Sequence, residues 1–137
     1  MNNINFWSIC VASVVSFGIG ALWYSPILFG KEWMSLTKTT AADMESIKSR
    51  GPWKAYIAQF IAVLISFSVI GFLASANNIA TSSDGAFLGF VIWLGFVATE
   101  SVGILFWERR PLKLVLINSI CSLVSLVIGG AIIGAWK

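Results

Sequence analysis

Four long apolar runs constrain this chain more than anything else in it: roughly Phe6–Tyr24, Ala55–Ser75, Gly85–Trp107 and Leu114–Trp136. Each approaches or exceeds the ~20 residues a helix needs to cross a ~30 Å hydrocarbon core at ~1.5 Å per residue. Lipid offers no hydrogen bond to an unpaired peptide group, so a crossing segment must satisfy its backbone internally, as a helix. The period-two alternation of a membrane barrel strand is absent. Charge agrees: 11% of residues are charged and 58% hydrophobic, against about 25% charged in an ordinary soluble domain. The expected fold is therefore an all-α membrane protein, with four transmembrane helices in an antiparallel bundle and a short interfacial helix after the first span. A chain of 137 residues has room for one such domain, 1–137, and no second.

Basic residues set the expected orientation. The first loop holds Lys31, Lys38, Lys48, Arg50 and Lys54, and the third holds Arg109, Arg110 and Lys113; the opposite side has only Lys137, with Asp84 as its acid. Loops 25–53 and 108–113 are thus expected to be cytoplasmic, with both termini outside, in the cell membrane. The net charge of +3 reflects this topology and does not point to nucleic acid. The segment before the first run carries no positive charge, and that run exceeds a usual signal h-region, so a retained span is expected. Cys10 and Cys121 fall at different depths, which disfavours a bridge. The chain contains no histidine, so no zinc, haem or other cofactor is expected.

The first run ends at Trp23-Tyr24-Ser25-Pro26, two interfacial aromatics followed by a serine that can cap a helix with proline at its first position. The following ILFGKEWMSL reads as the short interfacial helix. Thr40-Ala41-Ala42-Asp43 resembles a capping box opening a second short helix, about Ala41–Arg50, with Gly51-Pro52 as its stop. The connections at 76–84 and 108–113 are too short to hold a domain and make hairpins of the spans they join.

At 100° per residue, Gly85, Gly89, Trp93, Phe96, Glu100, Gly103 and Trp107 fall within an arc of about 80°. Glu100 is the only ionisable residue in that run, and a charge near mid-membrane costs roughly 3 kcal/mol. The acid is therefore expected on an inward face, about 12 Å from the level of Glu108. Its expected neighbours are Ser16, Gln59, Asn118 and Ser122, with Trp93 as a packing or ligand-facing wall. The corresponding small or polar faces are Ser8, Ala12, Ser16 and Gly20 in the first span, Ala55, Gln59, Ala62 and Ser66 in the second, and Asn118, Cys121, Ser122, Ser125 and Gly129 in the fourth. Small residues allow close helix approach. Serines within the spans are expected to bond their own helix backbones.

The strings LWYSPILFGKEW (Leu22–Trp33), LGFVIWLGFVAT (Leu88–Thr99), LFWERRPLKLVLINS (Leu105–Ser119) and GAIIGAW (Gly130–Trp136) resemble the DUF1761 family, small integral membrane proteins of unknown function. The resemblance covers most of the chain except the Lys38–Arg50 loop, and the Trp-Tyr-Ser-Pro turn with its following Phe-Gly is the most specific part. It implies a four-span membrane protein and supplies no reaction, ligand or catalytic residue. It draws attention to Trp23, Tyr24, Pro26, Gly30, Trp93, Arg110, Pro111 and Asn118, and not to Glu100.

Two functional readings follow. In the first, the protein is a non-enzymatic membrane module that binds lipid or a small molecule, or assembles with partners, and Glu100 fixes helix register. In the second it is a homo-oligomeric, proton-linked transporter of a small solute or ion working through Glu100; small multidrug-resistance transporters offer an analogy only. An enzyme is not expected, because the spans hold no second acid and no nucleophile–base pair. Arg109 and Arg110 are read as topology determinants that also touch anionic headgroups.

Overall fold

A computed structural model describes residues 4–136. Lys137, counted above for orientation, and Met1–Asn3 lie outside the described residues. The chain is helical almost throughout: α1 (Phe6–Trp23), α2 (Gly30–Leu36), α3 (Ala41–Ser49), α4 (Trp53–Ala76), α5 (Ser82–Ile92), a π-helical turn (Trp93–Ala98), α6 (Thr99–Phe106) and α7 (Leu112–Ala135). The α5, π and α6 segments form one rod, Ser82–Phe106; with α1, α4 and α7 it makes four helices long and apolar enough to cross a membrane.

Local chemistry explains the ends. Asn5 caps α1 by accepting from the Trp7 N–H. Thr40 and Asp43 form the expected reciprocal capping box of α3, with bonds of 2.9 and 3.1 Å. The Thr40 backbone N–H, and then its side chain, hold the exposed Asp43 carboxyl below the usual range. The stability this contributes is present above the ordinary Asp pKa and is lost as pH falls below it. Thr81 caps α5 through the Asp84 N–H. After α2, α3, α4 and α6 the chain turns through left-handed residues, Lys38, Gly51, Asn78 and Arg109, the usual way to satisfy the last carbonyls of a helix.

The expected start of α2 is corrected. Ser25 does not cap a helix; its hydroxyl donates back to the Leu22 carbonyl. Pro26 follows it inside a turn closed by the Leu28 N–H on the Ser25 carbonyl, where its fixed φ is equally favourable. The helix begins only at Gly30.

Helix α7 is the hub, touching α1, α4, α5, the π-turn, α6 and α2. Its tightest contact is with α5, where four glycines meet. A Cβ on Gly85 would strike the Gly130 carbonyl, one on Gly89 the Leu126 carbonyl, and one on Gly134 the Thr81 carbonyl. Backbone lies on backbone, and positions fall along α7 as they rise along α5. On the other side of α7, Ile9, Ala12, Phe67, Ile70, Ala74 and Ile133 form a buried cluster, and the Phe67 ring occupies the notch left by Gly129.

That ring decides the face of α4. Ala55, Gln59, Ala62 and Ser66 were expected inward and are exposed; Phe67, Ile70, Gly71 and Ala74 are buried instead, about a quarter-turn round the helix. An apolar solvent gives no reason to hide large side chains less than small ones, so shape chose the face. In α1 the expectation fares better: Ser8, Ala12 and Ser16 are buried, while Gly20 meets nothing within 4 Å.

The seam gives a stability test. Gly89→Ala should cost about 1–3 kcal/mol by overpacking. Gly18→Ala, with nothing within 4 Å of its Cβ, should stay within about 0.5 kcal/mol of wild type. Unfolding in detergent micelles followed by circular dichroism measures both; equal stability of the two variants would exclude the glycine seam.

Candidate functional site

The residues singled out by the family-like strings converge on α7. At the end of α1 the Trp23 indole N–H donates to the Ile117 carbonyl at 3.1 Å, and the Tyr24 hydroxyl donates to Asn118 Oδ1 at 2.8 Å. The turn then folds back on itself: the Phe29 N–H bonds the Trp23 carbonyl, and the Gly30 N–H bonds the Ser25 carbonyl. Phe29 stacks on Trp23 at 4.8 Å, and Trp33 sets its ring edge against Tyr24. Gly30 is buried here, and a Cβ would meet the Tyr24 and Ser25 carbonyls, so no other residue fits. Trp23, Tyr24, Pro26, Gly30 and Asn118 thus build one clamp between the 23–33 turn and α7. Pro111 stands just before α7 as its N-cap, and Arg110 lies 3.8 Å from Glu108 at the surface, apart from the clamp.

Trp93 holds α7 from another side. Its indole N–H donates to the Ser119 carbonyl at 2.8 Å, the partner a part-buried indole requires. The π-helical turn starts at this residue. A π-turn takes about one residue more than an α-turn, so every later side chain is set back by roughly 100°. The α7-facing stripe Gly85, Gly89, Trp93 therefore continues through Val97, Ser101 and Leu105, all half-buried, and not through Phe96, Glu100 and Trp107, which are exposed.

The inward placement of Glu100 is thus corrected. Phe96 and Trp107, expected on the same inner face, are 72% and 89% exposed, and Glu100 lies on the outer side with them. Among the described residues no hydrogen bond or ion pair reaches its carboxyl. Its expected neighbours are engaged or placed elsewhere. Asn118 accepts from Tyr24. Ser122 donates to the Asn118 carbonyl, as Ser66 and Ser68 donate to carbonyls of their own helix. Gln59 is exposed on α4, and Ser16 is buried in α1. Beside Glu100 lie Gly95, Thr99 and Gly103 at four-residue steps; Gly103 was expected to share its face, whereas Gly95 and Thr99 were missed from the sequence. Nothing lies within 4 Å of a Cβ at Gly95 or Gly103, so the packing of one chain explains neither. The signal was present as G-x-x-x-T-x-x-x-G, but a regular helix placed Gly103 on the α7 side.

The clamp is open to measurement. Tyr24→Phe and Trp23→Phe each remove one donor while keeping most of the ring, and each should cost about 1 kcal/mol. Gly30→Ala should cost about 1–3 kcal/mol, since backbone carbonyls cannot yield as a side chain can. Thermal unfolding in micelles gives the order; a Gly30→Ala variant as stable as wild type would exclude the folded-back turn.

No curated protein and no solved structure matches this chain. A family does: the one described as protein of unknown function DUF1761 matches residues 7–134. That range holds both the clamp and the α5–α7 seam, and the chain belongs to the DUF1761 family.

Proposed function

We propose that the protein is a non-enzymatic membrane assembly module that works as a homo-oligomer joined through the outer face of its third span. In this reading the four long helices cross the cell membrane as an antiparallel bundle with both termini outside. Helix α2 lies in the cytoplasmic interface, where Ile27 and Leu28, both exposed, enter the hydrocarbon boundary. The basic residues of loops 25–53 and 108–113 support that orientation.

One observation carries the proposal: the π-turn sets Glu100, Gly95, Thr99 and Gly103 on one unpartnered side of a membrane-length helix. Facing lipid, a charged carboxylate would cost roughly 3 kcal/mol. Facing a second copy, the carboxyl gains hydrogen-bond partners and the small residues allow the backbones to approach. The Thr99 hydroxyl already donates to the Gly95 carbonyl, which leaves its oxygen free to accept across the interface. The glycines of α5 are consumed by α7; Gly95 within the π-turn and Gly103 after it are not. Proton-linked transport needs the same oligomer and adds a requirement for flux.

Energy transfer between donor- and acceptor-labelled copies in liposomes tests self-association. Wild type should associate, and Gly95→Leu and Glu100→Leu should each weaken association about tenfold, near 1.4 kcal/mol. Gly18→Leu, on an exposed side of α1, should leave it unchanged. Wild type that remains monomeric, or stronger association in Glu100→Leu, would overturn the proposal. Flux in the same liposomes that exceeds background and is lost in Glu100→Gln would move the protein to the transporter reading.

A further inference from the structure

Helix α2 crosses near the start of α7, and between them lies an open cleft of about 270 Å³ lined by Lys31, Glu32, Ser35, Leu36 and Lys113. The Glu32 carboxylate lies 2.6 Å from the Lys113 ammonium, while Lys31 is in no ion pair among the described residues. Two ammonium groups and one carboxylate leave the cleft one positive charge in surplus. The pairing of Glu32 with Lys113 is solvent-exposed on both sides, so it is worth at most about 1 kcal/mol and is easily exchanged.

The geometry points to this cleft as a binding site for the phosphate of an anionic phospholipid. A phosphodiester carries one negative charge and matches the surplus. Its oxygens accept charge-assisted hydrogen bonds from Lys31 and Lys113, and the Ser35 hydroxyl adds a neutral donor. Leu36 gives the cleft an apolar wall, and Leu112, next to Lys113, is 56% exposed. A free phosphate has no use for those apolar surfaces; an acyl chain does. The partner is therefore a lipid with no cation on its headgroup, as in phosphatidylglycerol. A choline headgroup would bring a positive charge against two lysines. The clamp holds this site in place: α2 begins at Gly30, whose N–H is bonded to the Ser25 carbonyl, so Lys31, Glu32 and Ser35 keep a set position beside α7. The site rests on the membrane setting but not on self-association, so the two proposals fail separately.

Spin-labelled phosphatidylglycerol and phosphatidylcholine, compared by electron paramagnetic resonance in phosphatidylcholine bilayers, report the relative preference for the anionic lipid. Wild type should prefer phosphatidylglycerol. Lys31→Gln and Lys113→Gln should each lower that preference about fivefold, the share of one basic residue at a membrane surface. Glu32→Gln should raise it, because Lys113 is then uncommitted; this opposite sign separates a site from a misfolded chain. Lys48→Gln, at the far end of α3, should change it less than twofold. A loss in Lys48→Gln equal to that in Lys31→Gln would show a diffuse basic surface and overturn the site, as would the absence of any preference in wild type or a fall in Glu32→Gln. Displacement by inorganic phosphate in the buffer would overturn the lipid in favour of a soluble phosphate ligand.

Discussion

The close approach of α5 to α7 underlies the rest of the structure. Four positions without side chains, Gly85, Gly89, Gly130 and Gly134, let two backbones touch, and carbonyls occupy the space their Cβ atoms would fill. In an apolar solvent helices gain little by hiding hydrophobic surface from one another, so tight van der Waals packing must select the partner. Once that seam is set, Trp93 lies against α7 at the Ser119 carbonyl. Trp23 reaches the carbonyl of Ile117, two residues earlier. Two residues is about 200° of helix, so the indoles hold α7 from nearly opposite sides. The hub is positioned by side chains that act as donors, with glycines supplying the room.

The π-turn starts at Trp93 and has one large consequence. It lets the third span hold its contact with α7 through Val97 and Ser101 while rotating the acid, and the small residues around it, to the outside. Without the extra residue Glu100 would face α7 at a level where serines serve as backbone donors and Asn118 is occupied by Tyr24. π-turns recur at functional sites. Here the turn divides one rod into a half that packs within the chain and a half whose small, polar side is unpartnered.

The match to the DUF1761 family spans residues 7–134 and so takes in both the scaffold and this face. The strings that resemble the family hold Trp23, Tyr24, Gly30, Trp93 and Asn118, and each of these has a partner within the chain. They fasten the 23–33 turn and the third span to α7. In doing so they also fix α2, and with it the cleft beside Lys113. Glu100 belongs to none of these contacts, so the acid and the scaffold are separate features of one chain.

Much of the fold was legible in residues alone. Helix number and length follow from the obligation to satisfy the backbone without water, and the Thr40–Asp43 box follows from the orphan N–H groups of a helix start. That Gly85, Gly89 and Trp93 share a face was also readable, because periodicity holds while the helix is regular. The tertiary structure alone decided which face each helix presents and where that periodicity breaks. Hydropathy does not distinguish lipid from protein, so it placed Gln59 and Ser66 inward when the fit of Phe67 into the Gly129 notch turns them out. A single added residue at the π-turn then turned Glu100 from the α7 face to the exposed side. Composition determined that this chain makes four long apolar helices; the shapes of glycines and rings, meeting across residues far apart in sequence, decided what those helices show to one another and what they leave exposed.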